Sequence, residues 1–462
     1  MELVKKKIAY CFLVSNEARD FYLLLPVIYY LEKFENYEVS FEFIWDAHKI
    51  RKKRPDLVVL PNARGHSLYY ETAKYCFENG ILVFNHDSEG NFNTALDYDF
   101  WGFNQTQEIF CPIQFTWNNR VKKFLEEKYA VPTEKIAVSG APGFDKYQYL
   151  PSVDKKAILE RHGKSGFTKI VGYAGWAFGK LYNKELNDVL SVIGKPGEDG
   201  KIWLKAQSDC VEACLRSAIV AFPDVLFILK KHPRENFESD FRDSRNEMNR
   251  LVDYPNVLYL KDSEEIQDLI QISDLWMAFE STSIMEAWLM DKPTLMINPD
   301  TNFRRADLWN GSIAVKNEEE MLRAFEEKFV KENNTFFTPE KVMSNRASII
   351  ADSIGFADGL NHLRCVKAFK GHFDQSNNDS TKVRLNAKFL RLYWLLHIGK
   401  WFYIPWLFKR LPKFKKTVWI FENHKLLKVK EVKISNYLFL DAFYERKNLA
   451  TKIHDESIWE EL

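Results

Sequence analysis

Short apolar runs alternate with helix-length segments along roughly the first 300 residues, and this alternation restricts the possible folds more than any other feature of the chain. In the N-terminal series, strands are predicted near 7–15, 39–45, 55–62, 81–85, 109–117 and 136–142. Predicted helices at 21–34, 67–79 and 118–130 separate several of them. Parallel strands need long crossover connections, which helices usually provide, so this spacing is typical of a doubly wound parallel sheet. The sequence therefore predicts an α/β protein.

The same pattern begins again after a charged segment at 152–169. Strands are predicted from Ile170 and at 225–233, 256–260, 275–280 and 293–299, with helices at 264–273, 281–290 and from about 315 to 370. We predict two Rossmann-like domains, 1–150 and 165–372, joined by a linker near 150–168. A ligand would lie at the carboxyl ends of the strands, in the cleft between the two domains.

A third region, 382–462, begins with a strongly basic, aromatic segment that the overall net charge of +1 conceals. Residues 382–430 contain thirteen Lys or Arg and one acid, a balance of +12, so the remainder carries −11. The longest stretch of low charge, 392–408, has seventeen residues and is interrupted by Lys400 and Pro405. This stretch is short for a membrane-spanning helix, which needs about 20 apolar residues.

The composition of residues 386–421 favours binding to an anionic membrane surface, because aromatic rings prefer the lipid interface and lysines are attracted to anionic headgroups. Two alternatives stay open. The segment could pack internally or form an oligomer interface, and basic residues among aromatics also suit nucleic acid. The many aliphatic residues argue against nucleic acid, which we do not expect as a partner.

The six cysteines form no CxxC pair, which favours reduced thiols in a cytoplasmic protein. The N-terminal MELVKKKIAYCFLV passes directly into polar residues, so we interpret it as a first strand and not as a signal peptide. We expect a cytoplasmic protein held peripherally at the inner face of the cell membrane.

Two motifs follow predicted strands in the second domain and suit phosphate binding. Lys230-Lys231-His232-Pro233 places a histidine at the mouth of a parallel sheet. Glu280-Ser281-Thr282-Ser283 supplies hydroxyl and backbone donors between a strand and a helix. A turn histidine and an ordinary helix cap are the alternative interpretations.

Three further features are weaker. Gly175 lies in GYAGWAFG, residues 172–179, where small residues could let the backbone approach a donor phosphate or could simply serve packing. Arg64 and Arg304 are candidate contacts for an anionic sugar or phosphate, although we favour a solvated arginine for each. Asp97-Tyr98-Asp99 has metal-binding spacing but lies in an aromatic stretch, and we predict no metal site and no cofactor.

The order of these motifs, from KKHP at 230–233 through FESTSIMEAWLMDKPTLMI at 279–297, resembles the donor-binding half of GT-B glycosyltransferases. It is most similar to bacterial surface-carbohydrate enzymes, including the Kdo and sialic-acid transferases that use CMP-sugars, and the resemblance covers roughly residues 5–370. It implies an HP motif at His232 and Pro233 and a serine motif for the nucleotide phosphate and ribose at Ser281, Thr282 and Ser283. It also implies that Glu286 meets the ribose.

The resemblance extends to His86-Asp87-Ser88-Glu89-Gly90, which follows the predicted strand at 81–85. The related transferases carry two adjacent acids and a glycine here, and one carboxylate deprotonates the acceptor hydroxyl. In this chain Ser88 separates the acids, so either Asp87 or Glu89 could be the base, and we favour Glu89. The stretch VSGAPGFDKY at 138–147 resembles G-x-P-R-x-D of surface-carbohydrate proteins, with Gly143 in place of the arginine.

The resemblance implies an inverting, metal-independent transfer of a sugar from a nucleotide-sugar to a capsule or lipopolysaccharide glycan or its lipid-linked precursor. The donor would be CMP-linked, and the sugar Kdo or another nonulosonic acid. One alternative is a CDP-glycerol or CDP-ribitol phosphotransferase of the teichoic-acid type, although its N-terminal histidine-glycine motif is absent. The other is a catalytically silent GT-B scaffold.

Overall fold

The structure is a computed structural model of the 462-residue chain. The residues that it describes are 6–14, 18–64, 67–92, 94, 98–99, 108–176, 178, 190, 195, 197–232, 246–261, 264–300, 310–373, 385–398 and 429–462. The chain divides into two compact units. We call Met1–Leu150 with Asp352–Leu462 the N-terminal unit and Pro151–Ala351 the central unit.

The N-terminal unit contains a six-stranded sheet of order β2-β1-β3-β4-β5-β6, in which every neighbouring pair is parallel. Its strands are β1 Lys7–Leu13, β2 Tyr37–Phe43, β3 Leu57–Leu60, β4 Leu82–His86, β5 Gln114–Thr116 and β6 Ile136–Val138. Nearly all residues of β1, β3 and β4 are buried, because helices cover both faces of a doubly wound sheet.

The central unit has a second six-stranded parallel sheet of order β12-β11-β10-β7-β8-β9. Its strands are β7 Lys169–Ala174, β8 Val225–Lys230, β9 Val257–Leu260, β10 Leu275–Ala278, β11 Thr294–Ile297 and β12 Ile313–Val315. Aliphatic and aromatic side chains of β7, β8 and β10 form one core with the helix at Gly197–Ala221. Each unit therefore has its own core.

The helices of the N-terminal unit are α1 Ala18–Phe34, α2 Lys49–Lys53, α3 Ser67–Glu78, α4 Asn119–Tyr129, α5 Lys146–Tyr149, α12 Asn361–Phe369, α13 Ala387–Tyr393, α14 Val429–Arg446, α15 Leu449–His454 and α16 Ile458–Glu461. Those of the central unit are α6 Lys155–Arg161, α7 Gly197–Ala221, α8 Ile266–Ile272, α9 Ser283–Leu289, α10 Glu318–Phe329 and most of α11 Glu340–Ser353. In the part of the chain that the structure describes, no helix is both long and apolar enough to cross a membrane.

The prediction of an α/β protein with two parallel sheets is confirmed, and most strand boundaries agree within about two residues. The strand predicted at 109–117 is shorter, Gln114–Thr116. Pro112 precedes it and cannot donate a backbone hydrogen bond to a sheet. Strand β12 was not predicted, because three residues are too few to show a periodic pattern.

The last part of the chain packs on the N-terminal unit, whereas the sequence pattern predicted a second domain that extends to residue 372. Leu363, Val366 and Phe369 of α12 are buried in one core with β1, β4 and α1. Leu440 and Phe443 of α14 lie in the same core. The apolar stripes of α12 and α14 thus complete the first sheet's cover.

A buried polar network holds α12 in place. The two carboxyl oxygens of Asp145 accept hydrogen bonds from Asn361 N at 3.2 Å and Nδ2 at 2.7 Å, and from His362 N at 2.9 Å and Nδ1 at 2.8 Å. The Nε2 atom of the same histidine lies 2.8 Å from the Tyr444 hydroxyl of α14. Asp145 and His362 are fully buried, so the network joins a loop after β6 to two helices distant in sequence.

Candidate functional site

The carboxyl edge of the central sheet brings the phosphate-binding candidates together. The strands β10, β7 and β8 are neighbours, and Ala278, Ala174 and Lys230 lie at one level of the sheet. The segments that follow them, 279–283, 175–176 and 231–232, therefore leave the sheet side by side. His232 follows β8 and Ser281 follows β10, and these two strands are two strand spacings apart, or about 10 Å. The order reverses at β7, the place where open α/β sheets bind ligands.

Gly175 gives this edge a close approach between backbones. Its amide donates a hydrogen bond to the Lys230 carbonyl at 2.9 Å. A Cβ atom at this position would lie 2.5 Å from Met248 Cε and 3.1 Å from the Lys230 oxygen. A larger side chain would therefore crowd both the methionine and the strand end.

The serine motif divides into one structural and two accessible hydroxyl groups. Ser283, 4% exposed, accepts a hydrogen bond from Trp276 Nε1 at 3.2 Å and one from the Ser281 hydroxyl at 3.1 Å. Its amide donates to Ser281 Oγ at 3.3 Å, which closes the turn. Ser281 is half-buried and Thr282 exposed, so these two hydroxyls can meet a ligand.

Two acidic residues flank the serines. Glu280 is buried and has a φ of +48°, a left-handed conformation that non-glycine residues seldom adopt outside functional or strained turns. Glu286, predicted to meet a ribose, lies half-buried on α9. The unusual backbone at Glu280 redirects the chain immediately before the serines.

Glu247 also belongs to this edge, although no sequence motif indicates it. Its side chain, 1% exposed as a residue, accepts hydrogen bonds from the Tyr173 hydroxyl at 2.9 Å and from the Trp176 amide at 3.2 Å. It therefore fixes the turn that follows β7. Nothing in its polar sequence context indicates this role, because the contact spans 71 to 74 residues.

The carboxyl edge of the first sheet carries the acidic motif. Asp87 directly follows β4, is 6% exposed, and accepts hydrogen bonds from Gln114 Nε2 at 3.1 Å and Asn85 Nδ2 at 3.4 Å. Burial raises the pKa of its carboxyl group to about 7, although the Arg64 charge and the two amide donors partly oppose this shift. A carboxyl group that titrates near neutrality can exchange a proton with a substrate hydroxyl at physiological pH.

His86, the last residue of β4, is fully buried beside Asp87. Its Nε2 lies 3.0 Å from Ser139 Oγ and 3.1 Å from the Gly140 oxygen, and its Nδ1 lies 3.2 Å from the Asp87 carbonyl oxygen. Burial lowers the pKa of the imidazole to about 4. The ring is therefore neutral at physiological pH and holds the end of β4 against the end of β6.

The loop after Asp87 is held by residues at the end of β5. Trp117 Nε1 donates to the Asp87 carbonyl at 2.9 Å, and Asn118 Nδ2 donates to the Gly90 carbonyl at 3.1 Å. A Cβ atom on Gly90 would lie 2.2 Å from Trp117 Cγ, so glycine is required there. Glu89, which lies between Asp87 and Gly90 in the sequence, is half-buried. Trp117 and Asn118 are further site residues that no sequence motif indicated.

Arg64 is buried, at 1% exposure, and is not a solvated arginine. Its Nη1 donates to the Tyr98 hydroxyl at 3.4 Å, and its guanidinium lies 4.9 Å from the centre of the Tyr129 ring. Its charge also lowers the pKa of Asp87. Asp99 accepts hydrogen bonds from Lys128 and Tyr129. Pro233 and Arg304, the other predicted contacts, lie outside the described residues.

Comparison with solved structures identifies the fold. A UDP-N-acetylglucosamine 2-epimerase from Neisseria meningitidis bound to UDP-GlcNAc has a TM-score of 0.51 at 14% identity, over 79% of this chain and 100% of that one. A Listeria monocytogenes protein assigned to the same activity has a TM-score of 0.55 at 14% identity, covering 81% and 98%. Another UDP-N-acetylglucosamine 2-epimerase gives 0.53 at 13%, covering 80% and 96%. The chain has the GT-B fold.

The predicted fold class is thereby confirmed, while identities of 13–14% support the fold alone. No protein-family model matches the chain, and no curated protein sequence matches it. The assignment of function therefore depends on the residues at the two sheet edges.

Proposed function

We propose that this protein is an inverting glycosyltransferase that moves a sugar from a nucleotide-sugar donor to a bacterial surface glycan or its lipid-linked precursor. The donor is CMP-linked and the sugar is Kdo or another nonulosonic acid. The observation that carries the proposal is the buried Asp87 carboxyl group, with a pKa raised to about 7, at the carboxyl edge of the first sheet. Inverting transfer needs such a base for the acceptor hydroxyl.

The central unit supports the donor half of the proposal. Three candidate hydrogen-bond donors to a phosphate lie in the segments that follow β8 and β10 at one edge of the sheet. They are His232, Ser281 and Thr282. Gly175 lets the turn after β7 pack closely against the end of β8 at the point where the strand order reverses. UDP-GlcNAc, the ligand of the Neisseria structure, is a nucleotide-sugar and is consistent with a ligand of this class. These donors would stabilise the charge that develops on the departing nucleotide phosphate.

Nucleotide binding tests this half. We expect one of CMP, CDP, UDP and GDP to raise the thermal midpoint of the wild-type protein, with CMP giving the largest shift. His232→Ala and Ser281→Ala should each weaken binding about 10- to 100-fold, because each removes a hydrogen bond to a charged group. Ser165→Ala, at an exposed position of the central unit, is the control and should bind normally.

Other outcomes of the same experiment select another function. No shift with any nucleotide would indicate a silent scaffold, and unchanged affinity in His232→Ala and Ser281→Ala would refute the site. A CDP-glycerol or CDP-ribitol phosphotransferase remains the second candidate, since it shares the HP and serine motifs. Phosphate retained in the reaction product would establish that alternative and exclude glycosyl transfer.

We also propose that residues 386–421 hold the enzyme on an anionic membrane, where a lipid-linked acceptor is found. Residues 399–421 lie outside the described part of the chain, so the proposal rests on their sequence. Lys415→Glu with Lys416→Glu should weaken co-sedimentation with anionic liposomes at least about 30-fold, at about 1 kcal/mol per basic residue near the surface. The matched control reverses Lys123 and Lys156, which are exposed. Equal losses in both double variants would contradict a role of this segment.

A further inference from the structure

Two histidines and an aspartate meet where α13 packs on the N-terminal unit. Asp46 ends the short turn that follows β2, His48 precedes α2, and His397 lies in the π-helical turn Trp394–Ile398 after α13. One ligand atom from each residue, an imidazole nitrogen or a carboxyl oxygen, lies within 4.8 Å of the other two. The group unites residues about 350 positions apart.

The geometry of this group suits a metal ion. A tetrahedral ion with bonds of 2.0–2.1 Å holds its ligand atoms about 3.3–3.5 Å apart. His397 Nε2 already lies 3.2 Å from Asp46 Oδ1. The distances from the His48 ligand atom to the other two are at most 4.8 Å, so a movement of up to about 1.5 Å would bring the third ligand into the same range.

Neighbouring side chains restrain all three of these residues. Asp46 is buried, and its other oxygen lies 3.8 Å from Lys49 Nζ, which is also held by Glu42 at 2.5 Å. The Tyr393 ring packs against both histidines, with centroids 4.7 Å from His48 and 4.9 Å from His397, and the two imidazole rings lie 5.5 Å from each other. Asp46 Oδ1 faces His397, whereas Lys49 lies near the other oxygen, Oδ2. Lys49 therefore need not move for an ion to bind.

The position of His397 is set by the core. Phe389 and Leu396 are buried with Trp45 and Tyr75, and the Phe389 and Tyr75 rings meet edge to face at 5.2 Å. These contacts hold one face of the helical segment on the N-terminal unit. His397 is therefore presented to Asp46 by packing.

We propose that Asp46, His48 and His397 bind a divalent transition-metal ion, and that this ion fastens the helical segment 387–398 to the N-terminal unit. Two imidazoles and one carboxylate are ligands for Zn²⁺ and neighbouring metals, whereas Mg²⁺ and Ca²⁺ prefer oxygen ligands alone. The fastened segment is the beginning of the basic aromatic region. The site lies three strands from Asp87, about 14 Å along the sheet, and takes no part in the transfer chemistry.

The test uses the full chain, stripped with a chelator and then titrated with Zn²⁺ against a chromophoric competitor. We expect one saturable site per chain. His397→Ala and His48→Ala should each weaken Zn²⁺ binding at least about 100-fold. His397 is 32% exposed, so its removal should leave the fold intact, which circular dichroism checks. His454→Ala removes an exposed histidine elsewhere in the same unit and should bind Zn²⁺ normally.

Co²⁺ and hydrogen exchange provide independent measurements. Bound Co²⁺ should show visible absorption without the thiolate charge-transfer band that binding at Cys210 and Cys214 would give, and Cys210→Ser should leave the spectrum unchanged. Zn²⁺ should slow amide exchange in 387–398 in the wild-type protein but not in His397→Ala. Wild-type affinity in His397→Ala, no saturable binding, or a thiolate band would overturn the metal site. Unchanged exchange on Zn²⁺ binding would overturn the fastening.

Discussion

The Asp87→Asn variant should transfer sugar about 10²- to 10⁴-fold more slowly than the wild-type protein while keeping its affinity for the donor nucleotide. An amide of the same size cannot accept the proton of the acceptor hydroxyl. The donor-binding candidates belong to the other unit, so nucleotide binding should not change. Single-turnover rates with saturating donor measure the loss, and Asp455→Asn, on the surface of the same unit, is the control.

The same variant distinguishes the two candidate bases. With the wild-type protein, the rate should rise with pH through about 7, because only the ionised Asp87 can accept a proton. Glu89→Gln should retain at least a tenth of the wild-type rate. A full rate in Asp87→Asn together with a large loss in Glu89→Gln would assign the base to Glu89, the residue that the motif favoured.

The pH dependence of stability gives a second measurement on the same carboxyl group. The folded-state pKa of Asp87, about 7, exceeds the unfolded value of about 3.9, so its contribution to stability falls as pH rises through this window. His86 acts in the opposite direction, because its pKa drops from about 6.5 in the unfolded chain to about 4. Between pH 4 and 6.5 the two effects nearly cancel.

Removal of the Asp87 carboxyl group should reveal the effect of His86 on the pH dependence of stability. In Asp87→Asn, the free energy of unfolding should rise with pH from 4 to 6.5 by up to about 1.4 kcal/mol per pH unit more than in the wild-type protein. Urea denaturation at several pH values measures the slope. An identical slope in both proteins would show that Asp87 does not keep its proton to neutral pH.

The largest effect on stability is expected at Asp145. In Asp145→Ala, the four donors of Asn361 and His362 lose their acceptor in a fully buried site. Each buried donor that is left without an acceptor typically costs about 1–3 kcal/mol, so the loss should total several kcal/mol. The thermal midpoint of the N-terminal unit should fall on the order of 10 °C. Differential scanning calorimetry measures the change.

A graded series separates hydrogen bonding from side-chain volume. Asp145→Asn keeps one acceptor oxygen and should lose less stability than the alanine variant. Asp352→Ala is the matched control, since Asp352 is exposed and its ion pair with Arg120 should contribute at most about 1 kcal/mol. Equal midpoints for Asp145→Ala and Asp352→Ala would show that the buried network does not stabilise α12.

The sequence predicts the two sheets and the edge on which each motif lies, because strand periodicity is a local property and the carboxyl ends of parallel strands share an edge. Contacts between distant segments leave no such signal. Asp145 and His362 are 217 residues apart, and Glu247 meets a strand more than 70 residues before it. The burial that raises the pKa of Asp87 is likewise a tertiary property, so the motif alone could not separate Asp87 from Glu89.

The basic region shows the same limit. Its composition favours lipid, yet Phe389 and Leu396 are buried in the core of the N-terminal unit. At these two positions the segment packs internally, which was one of the two alternatives to membrane binding. Trp394 is 55% exposed and remains accessible. Composition could not divide the helix into a packed face and an exposed face, because that division depends on the surface against which it lies.

The discontinuous N-terminal unit has a consequence for the order in which the protein is made. The central unit is one uninterrupted stretch, Pro151–Ala351, and can close its core while the ribosome is still extending the chain. The core of the first sheet is complete only when α14 has been added. Asp441 of α14 accepts a hydrogen bond from Tyr29 of α1 at 2.6 Å. The first sheet is thus translated before the central unit but completed after it.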